Sequence, residues 1–179
     1  MDRVKYDIFC IGACVQDILL EGIEEEDFQN SVTVLKRAVF TSGGDATNEA
    51  VVLSRLGNKT ALLAKIDTGM AGNAIYQDLR NEGVDTSQIV RDENSRSTSA
   101  FVAIDSAGNH KFFLAKGENE GIALNEIDCE GLKNTRAVCV GSMYTSYHLD
   151  RCGMRELMQA AREAGAVTFA DMDHDVEKL

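Results

Sequence analysis

Short apolar runs separated by stretches of helical period set the architecture of this chain. Asp7-Ile8-Phe9-Cys10-Ile11, ending at Gly12, reads as a first strand. Over residues 46–56 the positions Ala46, Ala50, Leu53 and Leu56 share one helical face, and Gly57 follows as a C-terminal stop. Residues 60–65 read as a strand, 72–81 as a helix ended by Gly83, and 137–140 as another strand. A helix is predicted over about 151–164, because Met154, Leu157, Met158 and Ala161 repeat at i, i+3, i+4 and i+7 and Gly165 supplies the cap. The strand 167–170 follows it. Strands alternating with helices predict an α/β fold, with a parallel central sheet flanked by helices.

Two segments break that alternation. Residues 18–22 and 32–40 read as strands with no helix between them, and 98–105 and 109–114 read as a hairpin around Ser106-Ala107-Gly108. Four strands inserted between α/β units predict a small separate sheet, a lid over the main domain, built from about 18–40 and 98–114. The acidic run Glu24-Glu25-Glu26-Asp27 belongs in an exposed turn of that lid.

Composition narrows the function. At 179 residues the chain is long enough for one well-buried domain. Its 29 acidic against 18 basic residues give a net charge of −11, which repels nucleic acid and anionic lipid. No stretch approaches a membrane span and the N-terminus has no signal-peptide core, so a cytoplasmic location is expected. The five cysteines, at 10, 14, 129, 139 and 152, form no Cys-x-x-Cys pair and are expected as buried, reduced thiols. His110, His148 and His174 are too scattered for a metal site. Asp171-Met172-Asp173-His174-Asp175 follows a strand, whose alternation would split its side chains between two faces. Lys111 and Lys116 on the lid are expected to be solvated. The chain contains no proline, for which the sequence offers no physical reason.

The stretch Thr41-Ser42-Gly43-Gly44-Asp45-Ala46-Thr47-Asn48-Glu49-Ala50 carries the densest chemistry. Two glycines allow the backbone to approach a ligand closely, and they lead straight into a helix N-terminus with unpaired N–H groups. Asn48, one turn in, both donates and accepts. That combination suits a polyhydroxylated ligand, since each hydroxyl also does both. On spacing alone, a tight turn with Asp45 as N-cap is the alternative.

These residues, in this order, resemble the N-terminal, sugar-binding part of the ribokinase-like (PfkB) carbohydrate kinases. The resemblance rests on Gly43, Gly44, Ala46, Asn48, Ala50 and Leu56-Gly57, and on the strand ending in Gly12 with Asp17 five residues on. Residues 61–72, the block 79–85 ending in Glu-Gly-Val-Asp, the hairpin, and Phe169-Ala170-Asp171-Met172-Asp173 also match in order, so it spans about residues 6–173. It implies a ribokinase-like fold and transfer of the ATP γ-phosphate, with Mg2+, to a hydroxymethyl group of a neutral sugar or nucleoside. By position, it implies substrate contacts at Asp17, Gly43, Gly44 and Asn48. Asp45 sits where substrate preference is often set, and Ala100 and Phe101 would cover the acceptor from the lid; for Phe101, core packing is the alternative. It leaves open pairing of the lid with that of a second copy, as in some members.

Three departures qualify the resemblance. After the strand 60–65 the family shows Gly-x-Asp, whereas this chain reads Asp67-Thr68-Gly69; where the family has Asp-Pro-Asn, it reads Asp171-Met172-Asp173, which puts a role for Asp173 in doubt. Family members are also considerably longer. The magnesium motif, the nucleotide pocket and the Gly-Ala-Gly-Asp segment with the catalytic base do not occur here, and no Gly-x-x-x-x-Gly-Lys-[Ser/Thr] loop replaces them. The C-terminal part of the fold is thus expected to be missing, and the chain alone to be inactive. A non-catalytic sugar-binding or interaction module of the same fold is the alternative.

Overall fold

A computed structural model describes residues 5–117, 121–127 and 129–172; the side chain of Cys129, and Asp173, His174 and Asp175, lie outside them. Four parallel strands form the main sheet: β1 (Tyr6–Gly12), β4 (Thr60–Leu63), β9 (Thr135–Met143) and β10 (Val167–Met172), in the order β10-β9-β1-β4. Because side chains alternate along a strand, β1 serves two cores at once. Ile8 and Cys10 face α1 (Asp45–Arg55) and α2 (Met70–Asn81), where Ala46, Ala50, Ile75 and Leu79 pack. Phe9 and Ile11 face the opposite layer of α3 (Cys129–Leu132), α4 (Tyr147–Arg151) and α5 (Met154–Glu163), where Leu149, Leu157 and Ala161 pack. The expected parallel sheet flanked by helices is present.

The lid is a second four-stranded sheet, β2 (Val15–Glu21), β3 (Arg37–Gly43), β7 (Thr98–Ile104) and β8 (His110–Ala115), ordered β3-β2-β7-β8. β2 runs parallel to β7, and the other two pairings are antiparallel. Two lid strands differ from expectation. β2 begins at Val15, because Val15–Asp17 pair with Gly43–Thr41; and β3 starts only at Arg37, leaving Val32 and Val34 exposed outside the sheet. The acidic run forms an exposed 3-10 turn, Glu25–Gln29, closed by Glu24 N–H donating to Asp27 Oδ2 at 2.9 Å.

Other differences have local causes. The expected strand 60–65 ends at Leu63, and β5 (Lys65–Asp67) instead pairs with β6 (Val90–Asp92), a small parallel ladder with no signal in the sequence pattern. The expected helix 151–164 is broken between α4 and α5 at Gly153, whose φ of 143° suits glycine and whose backbone lies against Leu124. Cys10 and Cys14 are buried free thiols, but Cys139 is half-buried and Cys152 exposed, because α4 ends there. No helix among the described residues is long and apolar enough to cross a membrane.

Candidate functional site

Register fixes the geometry of the lid's two faces. Asp17 stands opposite Thr41 on one side and Ala100 on the other, and Ala100 stands opposite Leu114. One residue on, Ile18 lies between Phe40 and Phe101, with Phe113 beyond. Asp17, Thr41, Gly43, Ala100 and Leu114 therefore share one face, and Phe101 belongs to the other. Ala100 adjoins the candidate carboxylate; Phe101 is turned away from it.

Asp17 leans over the loop that enters α1. A methyl group on Gly43 would collide with Asp17 Oδ2, so only glycine lets the carboxylate rest against the backbone. Gly44 is required twice over: its φ is 90°, and a Cβ there would lie 2.6 Å from the Ala13 carbonyl. Gly44 is also the N-cap of α1, which rules out the N-cap reading of Asp45. The helix N-terminus sits tightly on the sheet, since a Cβ on Gly141 would be 2.5 Å from Ala46 N. Unpaired N–H groups are thereby delivered to the C-terminal edge of β1 and β9.

The charges around this loop are acidic. Asp17 is half-buried and accepts no hydrogen bond from any described residue; burial alone pushes its carboxyl above the ordinary value. Asp45, at the first position of α1, accepts a hydrogen bond from the Ser142 hydroxyl at the end of β9. Glu49, one turn further, is also raised. Burial is the main cause; the Cys139 thiol donating to it pulls the other way, and the charges of Asp171 and Asp45 add to the rise. Its Oε2 is buried without a partner.

Asn48 lies elsewhere. It is exposed and lines a groove of about 500 Å3 along the outer edge of β3, together with Phe40, Ser42, Val52 and Asp78. Ser42 Oγ donates to Asp78 Oδ2 at 2.8 Å within its lining.

Sequence reasoning missed Ser142, Tyr144 and Glu49. Ser142 and Tyr144 hold φ of 57° and 76°, which non-glycine residues adopt rarely and mostly where the surrounding structure enforces it. Nothing in residue type announces that conformation. Glu49 was visible as a charge in the first turns of a helix whose other face is buried. Among the described residues no three His, Cys, Asp or Glu side chains assemble as a metal ligand set. Lys111 and Lys116 are exposed.

Comparison with known proteins places this geometry in context. A sequence pattern described as pfkB family carbohydrate kinase matches residues 5–175. A 5-dehydro-2-deoxygluconokinase of Clostridium botulinum (strain Alaska E43 / Type E3) is 31% identical over 173 residues, covering 95% of this chain and 50% of that protein. A probable fructokinase-3 of Arabidopsis thaliana is 30% identical over 131 residues, covering 72% of this chain and 38% of its own length. The chain thus spans about half, or less, of the curated relatives it matches. In three dimensions it is similar to fructokinase of Xylella fastidiosa with bound ATP: TM-score 0.77 at 20% identity, over 94% of this chain and 52% of that one. At that identity the likeness speaks for the ribokinase-like fold only. Family pattern, relatives and fold agree, and the chain belongs to the pfkB family of carbohydrate kinases.

Proposed function

We propose that this chain is the acceptor-binding part, one incomplete domain with its lid, of an ATP-dependent kinase. The kinase would transfer the ATP γ-phosphate to a hydroxymethyl group of a neutral sugar or nucleoside. One observation carries the reading: the Asp17 carboxylate is half-buried, rests on Gly43, and accepts no hydrogen bond from any described residue. Desolvating a carboxylate without donors is unfavourable, and two vicinal hydroxyls supply what is missing. Gly43 and Gly44 leave room for the ring, the first turn of α1 offers N–H groups, and Ala100 and Leu114 form the apolar cover on the same face.

A phosphorylated acceptor fits poorly. It would sit against the Asp17 carboxylate, and at about 4–6 Å with an effective dielectric near 20 a pair of like unit charges costs roughly 3–4 kcal/mol. On the family resemblance, the Mg2+ that accompanies ATP, the nucleotide pocket and the base fall to groups outside these residues. Within the same reading the location is cytoplasmic. A second copy's lid would cover Phe40, Phe101 and Phe113, which are exposed on the outer lid face; sedimentation of a Phe40→Glu variant as a monomer, against a wild-type dimer, tests that.

The kinase reading is tested by screening the full-length gene product for ATP turnover on ribose, fructose, nucleosides and fructose phosphates. Activity on a neutral acceptor whose KM rises in Asp17→Ala, with Asn48→Ala unchanged because Asn48 lines the separate groove, supports it; preference for a fructose phosphate overturns it. A binding module without catalysis is the second reading. No turnover by the full gene product, together with retained sugar binding, would select it.

A further inference from the structure

Next to the Asp17 face lies a small cavity that none of the expected site residues lines. Its walls include Ala13, Lys65, Arg96, Thr98, Thr145 and Ser146, and it holds about 50 Å3 of free room. An engineered cavity that admits benzene measures about 150 Å3. The space therefore accepts a group of a few heavy atoms and excludes a nucleobase.

Position ties the cavity to Asp17. Thr98 stands opposite Val15 as Ala100 stands opposite Asp17, so the two points lie two residues apart on one face of the lid. Two residues of strand span about 7 Å, the reach of a six-carbon chain held at its other end by Asp17.

The lining selects a neutral polar group. Ser146 is only 5% exposed, yet its hydroxyl takes part in none of the described hydrogen bonds, including any cap of α4. Thr145 Oγ1 donates to the Ser142 carbonyl at 2.6 Å and keeps its lone pairs. Lys65 Nζ lies 2.9 Å from Glu126 Oε1 and 3.4 Å from Asp92 Oδ2, so its charge is already met. With donors and acceptors both present and the Lys65 charge spent on two carboxylates, the cavity matches a hydroxyl better than a carboxylate.

We propose that this cavity receives the terminal hydroxymethyl group of the acceptor, at the end away from the phosphorylated one, and that the acceptor is a neutral hexose. The assignment rests on the kinase reading above. It is tested with the full-length enzyme on fructose, adenosine and 5-dehydro-2-deoxygluconate, and on the fructose analogue lacking the distal terminal hydroxyl. Fructose has the highest kcat/KM; the deoxy analogue has a KM about tenfold higher, the size of one hydrogen bond, and needs no variant to read. Ser146→Ala raises the fructose KM about tenfold with kcat within twofold, and Ser146→Val, which fills the cavity, raises it further. A tenfold preference for adenosine or for the sugar acid overturns the assignment. So does a fructose KM indifferent both to the distal hydroxyl and to Ser146 variants that melt like wild type, in which case the kinase reading stands. No phosphorylation of any acceptor overturns both.

Discussion

Two aspartates at the root of the lid make opposite use of burial. Asp67, at the end of β5, ties the body to the entry of β7: its carboxylate accepts from Ser97 N at 2.8 Å and from Gly69 N, while Ser97 Oγ accepts from Asp67 N at 3.0 Å. Burial alone would raise its carboxyl, but the hydrogen bonds from Ser97, Gly69 and Gly72 together hold it below the ordinary value. Asp17, on the neighbouring strand pair, meets the same desolvation with no donor to offset it, and is raised. A carboxylate that builds the fold arrives with its partners. On the proposed reading, one that waits for a ligand is left without them, and the missing donors describe the ligand.

The comparison sets a limit on what the chain can do unaided, and here the largest effect is expected. On the proposed reading Asp17 would hold an acceptor but could not activate it for attack on ATP without the groups that position and stabilise the transferring phosphoryl. Those groups supply nearly all the catalysis of phosphoryl transfer. Purified residues 1–179 should therefore show ATP-dependent phosphorylation indistinguishable from a blank with any of the acceptors above. Measurable turnover would break the division between a binding part and a catalytic part.

If Asp17 holds two vicinal hydroxyls as proposed, Asp17→Ala in the full-length protein would remove two charge-assisted hydrogen bonds to the acceptor, worth roughly 1.5–3 kcal/mol each. The acceptor KM should rise by about two to three orders of magnitude, with the ATP KM and the melting temperature nearly unchanged, because no described donor loses a partner. Gly43→Ala should reproduce the effect by pushing the carboxylate away. An unchanged acceptor KM would show that Asp17 does not contact substrate.

Asp67→Ala should do the reverse. It strands the Ser97 and Gly69 N–H groups at a position that is 9% exposed, so stability should fall by about 2–3 kcal/mol. The urea midpoint is expected to drop with an unchanged slope. If the variant melts like wild type while its acceptor KM rises, the two aspartates have been given each other's roles.

How much of this was legible beforehand differs between the two. Asp17 could be singled out as a candidate because it stands at a fixed distance from a strand ending in Gly12, ahead of the Gly43-Gly44 loop; a motif records which residue types meet. The role of Asp67 could not, since it depends on β5 leaving the main sheet to pair with β6, and a three-residue ladder has no period to detect. The sheet, α1 and α2 followed from periodicity because burial on one face enforces it. The break at Gly153 and the late start of β3 escaped for a shared reason: both are decided by what packs across from them, Leu124 in one case and β2 in the other. Phe101 failed as a partner of Ala100 on strand geometry alone, as neighbours in a strand cannot face the same ligand.

The smallest effect, and the finest test of the comparison, is in how stability depends on pH. For Asp67 the folded value lies below the unfolded one near 3.9. Its contribution is fully present above the unfolded value and is lost as pH falls through the folded one, because the unfolded chain takes up the proton first. For Asp17 the order is inverted. Its folded value lies above the unfolded one, so the native state holds a proton that the unfolded chain has already released, and stability falls as pH rises through that window. At pH 7 Asp67→Asn should therefore be less stable than wild type, and Asp17→Asn slightly more stable. Both should converge on wild type as the carboxylates protonate, one from below and one from above. Urea unfolding of the three proteins between pH 7 and pH 3 measures it. An Asp17→Asn variant less stable than wild type at pH 7 would mean that the Asp17 carboxylate already has a donor in the folded chain, and the inference that it waits for a sugar hydroxyl would lose its physical basis.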